Sequence, residues 1–291
     1  MNELIAPDPV VRRAVRVGGR RISYQQAGTA GGAVVLLLHG LASDSDTWQP
    51  AIAALAAHGL RVVAPDLLGH GSSDKPAGDY LLEDFARSTH EFLDALGLES
   101  ATVCGHSLGG AIAVHLGYHY PRQVARLVLV SAGGLGREVH PVLRAAALPG
   151  AERVVGWAMR PGLRRWYARD ELHRLLRLTP ENVVNLRRAG RALADAAGRA
   201  AFFAALRAVI APSGQRGSFL EMEYLAEHVP TLLVWSERDG VIPVAHAHAT
   251  KQYLPGSHLV IFPGGGHEPH RRHAAAFADA VAKFISSTPG A

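Results

Sequence analysis

Apolar residues along the chain fall into short unbroken runs separated by stretches with helical spacing. The runs are "AVVLLL" at 33–38, "LRVVAP" at 60–65, "ATVC" at 101–104, "VARLVLV" at 124–130, "TLLVW" at 231–235 and "HLVIF" at 258–262. Continuous rather than alternating apolarity marks strands covered on both faces, as in a parallel sheet. The clearest helical stretch runs from about Leu81 to Leu96, where Leu82, Phe85, Thr89, Phe92, Leu93 and Leu96 share one stripe. Further helices are predicted over about 48–58, 108–120 and 244–254, and over a last segment ending near Ile285. Ahead of the first buried run, "VRRAVRV" and "RRISYQQAG" flank Gly18-Gly19, a pair that supplies the positive φ of a tight hairpin. This alternation predicts an α/β fold: a mostly parallel, doubly wound sheet with helices on both sides.

The rhythm stops over residues 134–222, which are rich in Arg, Ala and Leu, broken by prolines, and hold no buried strand run. A helical lid inserted between two sheet strands accounts for this, giving a core of 1–133 and 223–291 and a cap of 134–222. Between Arg137 and Arg216 the chain carries fifteen Arg and no Lys. That excess could face acidic groups, but the whole chain uses only three Lys, so a solvated helical face in an arginine-rich protein is the simpler reading. No nucleic-acid motif accompanies the charge, and no nucleic-acid partner is expected. No apolar run approaches the roughly 18 residues that span a bilayer, and no basic-then-apolar leader is visible. The single cysteine, Cys104, forbids an internal disulfide and fits a reducing compartment, so a cytoplasmic location is expected.

The candidate chemistry starts at "VCGHSLGG". Gly105-His106-Ser107-Leu108-Gly109 places a serine between a buried strand and an apolar helix, with glycines two residues to either side. A strand that turns sharply into a helix presents such a serine with its Oγ exposed, and small flanking residues let strand and helix pass closely. Serine attacks only when a base takes its proton and a third group orients that base. In a doubly wound sheet those groups belong in loops at the carboxyl ends of strands. "WSERDG" offers Asp239, with Glu237 as a rival, and "FPGGGHEPH" offers His267, with His270 and His273 as rivals. Backbone N–H groups of Leu41, after "LLLHG", and of Leu108 are placed to receive a developing oxyanion.

Taken together, "LLLHGLASDSDTW", "VVAPDLLGHGSSDKP", "CGHSLGG", "SERDGVIP" and "GGGHEPH", in this order, resemble the α/β-hydrolases over nearly the whole chain except the insertion. The resemblance implies a catalytic triad of Ser107, His267 and Asp239, an oxyanion hole from Leu41 and Leu108, a helical cap over the site, and no cofactor. It also favours Asp239 over Glu237, because Asp239 stands just before Gly240-Val241-Ile242-Pro243. His270 and His273 are expected to ride on the final helix and point away from the loop. His39 and His106 read as structural or pocket-lining, Asp66 and His70 as loop-shaping, and Cys104 as inert. Trp157, Trp166 and Tyr167 are expected to line a pocket or to pack within the cap.

His115-x-x-x-His119 and His246-x-His248 lack the third ligand that a zinc site needs, so no metal is expected. The nucleophile narrows the reaction. A serine attacking an sp³ carbon would leave an unreactive ether, which disfavours epoxide hydrolysis and dehalogenation. Acyl transfer suits it, so the expected activity is that of a carboxylic ester hydrolase acting on a small, apolar ester. Two alternatives stay open: hydrolysis of a C–C bond in a meta-cleavage product, and a receptor-like small-molecule-binding protein. The first is weakened because "HGLASD" and "GHEP" replace the glycine-rich loop and the aromatic after the histidine that those relatives tend to carry.

Overall fold

The computed structural model describes residues 9–160, 187–217 and 228–290. Eight strands form one sheet: β1 (Val11–Val17), β2 (Arg20–Ala27), β3 (Val34–Leu38), β4 (Arg61–Pro65), β5 (Ala101–His106), β6 (Val124–Val130), β9 (Thr231–Arg238) and β10 (His258–Gly265). Their order is β1-β2-β4-β3-β5-β6-β9-β10. β1 and β2 form the predicted hairpin around Gly18-Gly19, β2 pairs antiparallel with β4, and every later pairing is parallel.

The two faces of the sheet divide the apolar runs by parity. Leu36, Leu38, Val103, Leu127, Leu129, Leu233 and Trp235 point to one face. There they meet α2 (Leu82–Ala95) and α3 (Leu108–His119). Val35, Leu37, Cys104, Val128, Val130, Leu232 and Val234 point to the other, against α1 (Gln49–Ala57) and α9 (Ala274–Ser287). Strand side chains alternate between faces, so a continuous apolar run is the sequence expression of a sheet buried on both.

Between β6 and β9 lie α4 (Pro141–Ala146), α5 (Ala151–Ala158) and α6 (Ala196–Val209). Among its described residues the segment is mainly helical, with one short exception. β7 (Ile210–Ala211) and β8 (Gly214–Gln215) form a two-residue antiparallel ladder with Ile210 buried. Such a pair is too short to leave a hydrophobic run in the sequence. After β9, α7 (Ala245–Tyr253) leads to β10, and α8 (Pro269–Arg272) leads to α9. Among the described residues, no helix is long and apolar enough to cross a membrane.

Candidate active site

β5 ends at His106 and α3 begins at Leu108, leaving Ser107 alone at the corner with φ 54° and ψ −116°. A positive φ at a non-glycine residue costs roughly 1–3 kcal/mol and persists only where neighbours over-determine it. They do so here. Ser107 N–H donates to Val130 O, and Ser107 O accepts from Gly110 and Gly133 N–H, each at 3.0 Å. The glycines make room for the corner. A Cβ on Gly105 would stand 2.1 Å from Gly109 O, and one on Gly109 would stand 2.2 Å from Leu38 O. Gly40 is constrained less severely: a Cβ there would meet side chains closely, His106 Nδ1 at 3.0 Å and Ser107 Cβ at 3.1 Å. The loop after β3 therefore lies directly against the serine, carrying Leu41 with it.

Two of the other predicted residues come together as a pair. His267 Nδ1 lies 2.9 Å from Asp239 Oδ2 and 3.1 Å from Oδ1. Asp239 Oδ1 also accepts from the N–H groups of Val241 and Ile242, at 2.8 and 3.1 Å. Its side chain is fully buried. Burial alone would raise this carboxyl, but the hydrogen bond and charge of His267 and the Val241 N–H hold it below its usual range. The carboxylate therefore fixes the proton of the neutral imidazole on Nδ1, which leaves Nε2 as the basic nitrogen. His267 Nε2 is buried and makes no hydrogen bond among the described residues, so none joins it to Ser107 Oγ.

Leu108 N–H is the first of its helix and has no intrahelical acceptor. Leu41 and Leu108 line a cavity of about 270 Å³ together with Ser107, Val139, Ile210 and Ile242. Its wall is mainly apolar, with Gln215, His115 and Arg216 as the polar exceptions.

The supporting histidines do more than fill space. His39 is fully buried between its own loop and the one after β4. Its Nδ1 donates to Gly40 O at 2.8 Å, and its Nε2 accepts from Leu67 N–H at 3.0 Å. Burial lowers its pKa and keeps it neutral, as these two roles require. His106 Nε2 donates to His267 O at 2.7 Å. Burial, reinforced by His267, pushes His106 down to about 3. One histidine thus holds the loop of Leu41 and the other holds the backbone of His267.

Glu237 is exposed and accepts from Gly264 N–H, away from the cavity. His270 differs from expectation. It does not turn outward but is fully buried, its ring 4.1 Å from that of Trp48 and 4.7 Å from that of His106. The short α8 aims it inward, ahead of the final helix. His273 stacks on Phe262 at 5.0 Å. Trp157 is 54% exposed and lines no part of the cavity, while Trp166 and Tyr167 lie outside the described residues.

An ion pair not anticipated from the sequence sits behind His267. Glu268 accepts from Arg188 at 2.8 Å, from Arg271 at 2.7 Å and from the Thr47 hydroxyl at 2.9 Å, and the Arg188 and Glu268 side chains are each 8% exposed. Other described arginines of the 137–216 stretch have partners at or near the surface. Arg207 pairs with Glu152, and Arg144 and Arg199 donate to backbone carbonyls. These described arginines are held by partners within the chain, Arg144 while still exposed.

Residues 33–274 match the α/β hydrolase fold family. The chain belongs to that family. It is 36% identical to an uncharacterized protein of Mycobacterium tuberculosis, over 98% of this chain and 83% of that one. It is 29% identical to a 2-hydroxy-6-oxo-6-(2'-aminophenyl)hexa-2,4-dienoic acid hydrolase of Metapseudomonas resinovorans, over 95% of this chain and 91% of that one. Among solved structures it resembles a serine hydrolase involved in carbazole degradation. The TM-score is 0.72 at 26% identity, covering 96% of this chain and all of the other.

Proposed function

We propose that this α/β-hydrolase cleaves carboxylic esters through an acyl-enzyme on Ser107. The observation that carries the reading is the placement of Ser107 in a mainly apolar cavity, on a corner with positive φ, in a chain that also pairs His267 Nδ1 with the buried Asp239 carboxylate. His267 Nε2 takes the Ser107 proton as Oγ attacks the carbonyl carbon. The Nδ1–H stays on the ring, and Asp239 stabilises the imidazolium that forms. The oxyanion is received by the N–H groups of Leu41 and Leu108. Collapse expels the alcohol, protonated from Nε2. Water then attacks the acyl-enzyme with His267 again as base, releasing the acid and restoring the serine. Residues 134–222 act as the cap, contributing Val139, Ile210 and Arg216 to the cavity wall.

A cavity of about 270 Å³ is at the small end of ligand sites, which favours a short to medium acyl group. The test is turnover of a p-nitrophenyl ester series, acetate to dodecanoate, by the wild type and Ser107→Ala. Repeated turnover that is lost in Ser107→Ala supports the reading, and at most one turnover by the wild type removes it.

C–C bond hydrolysis is the second reading, favoured by 29% identity to a dienoic acid hydrolase along nearly the full chain. The same serine, histidine and oxyanion donors would serve it. Loss of the dienol chromophore of a meta-cleavage product, faster than turnover of any ester, would move the assignment there.

A further inference from the structure

α2 and α3 pack side by side, and three side chains meet where they do. His115 and His119 lie one helical turn apart on α3, so their imidazoles share a face. Glu83, in the first turn of α2, reaches them from across the groove. One ligand atom from each of the three lies within 4.8 Å of the other two. His115 Nδ1 is 3.6 Å from Glu83 Oε1, longer than a hydrogen bond. The spacing His115-x-x-x-His119 lacks a third ligand in the sequence, and the fold supplies it from 32 residues upstream.

We propose that Glu83, His115 and His119 form a binding site for a divalent transition metal ion of the zinc class. Two imidazoles and one carboxylate are the donors that zinc takes where three protein ligands leave a position for water. Calcium and magnesium, which select all-oxygen sites, are disfavoured. Metal–ligand distances of about 2.0–2.1 Å require the donor atoms to draw in by about 1 Å or more. Glu83 and His119 are exposed and can rotate to do so, while the helix backbones stay in place.

The site is separate from the serine but not remote from it. His115 lines the same cavity as Ser107, as does Leu82, the neighbour of Glu83. An occupied site would therefore clamp α2 to α3 at the cavity wall and place positive charge beside it.

The test is calorimetric titration of zinc chloride into the metal-free full-length protein, alongside Glu83→Gln and His119→Asn. Both substitutions are at exposed positions, and the Tm of each variant without metal checks its folding. One zinc per chain is expected, weakened by about tenfold or more in each variant. Zinc is expected to raise the Tm of the wild type by roughly 5 °C at saturating concentration and to raise that of each variant clearly less at the same concentration. No saturable binding, or unchanged affinity in either variant, overturns the proposal. Unchanged affinity would place the zinc on histidines elsewhere in the chain.

Discussion

Gly109→Ala tests the elbow with a single methyl group. The added Cβ would lie 2.2 Å from Leu38 O and 2.8 Å from His39 O, both backbone atoms of β3 and the loop that follows it. Backbone cannot swing aside as a side chain can. Opening the gap from 2.2 Å to the roughly 3.0 Å floor for such contacts moves α3 away from β3 by about 0.8 Å. Overpacking of this kind costs about 1–3 kcal/mol, which for a chain of this size lowers Tm by roughly 2–6 °C. The same displacement carries Ser107 away from His267 and parts the N–H groups of Leu41 and Leu108. A misplacement near 1 Å at reacting atoms costs about a hundredfold in rate. The expected result is a small fall in Tm with a large fall in kcat on the best p-nitrophenyl ester. Gly78→Ala is the control, since nothing lies within 4 Å of a Cβ there. A Gly109→Ala enzyme with wild-type Tm and kcat would refute the packing argument. A lowered Tm with unchanged kcat would show the strain absorbed away from the serine.

Asp239→Asn keeps the shape but removes the charge that orients His267, and kcat should fall by about 10⁴ while Tm changes little. Activity within tenfold of wild type would show that Asp239 is not the orienting group. His70 and His106 are buried with pKa values pushed down to about 3 from 6.5. The unfolded chain therefore binds protons that the folded chain refuses. Their stabilisation is complete above pH 6.5 and is lost as pH falls towards 3, each group forfeiting about 2 kcal/mol by pH 5. Thermal melts should show Tm falling between pH 6.5 and 5, above the range in which carboxylates titrate, and a flat profile there would contradict it. Arg188→Ala leaves the buried Glu268 carboxylate with fewer partners and should destabilise the protein by about 3 kcal/mol. The double variant Arg188→Met, Glu268→Gln should recover most of that loss in denaturant melts, and no recovery would count against the ion pair as its source.

What could be read from the chain, and what could not, divides along a physical line. Val35 to Leu38, Cys104 and Val128 were legible because a strand buried on both faces must be apolar at every position, a constraint local to the run. Ser107 was legible because the corner it occupies requires glycines at fixed offsets. Gly109 is glycine on account of Leu38 O, but its spacing from the serine is local all the same. His267 and Asp239 could be named as candidates because strand ends are visible and the sheet gathers strand ends at one edge, while the choice of Asp239 over Glu237 rested on the resemblance to the α/β-hydrolases. His270 was misplaced because α8 is too short to register as a helix apart from α9, and a turn of one residue decides whether a ring faces solvent or Trp48. The pairing of Arg188 with Glu268 had no local signal. It depends on how a segment between β6 and β9 settles on the loop after β10, a contact across 80 residues. The same holds for Glu83 and the two histidines of α3. Their spacing along one helix is visible, but the third donor comes from a neighbouring helix whose rotation is set by its own apolar stripe. Leu82 turned inward obliges Glu83 to turn aside, towards His115. The stripe that the sequence displays for packing thus also decides which charge the packed helix offers to its neighbour, and only the assembled pair reveals it.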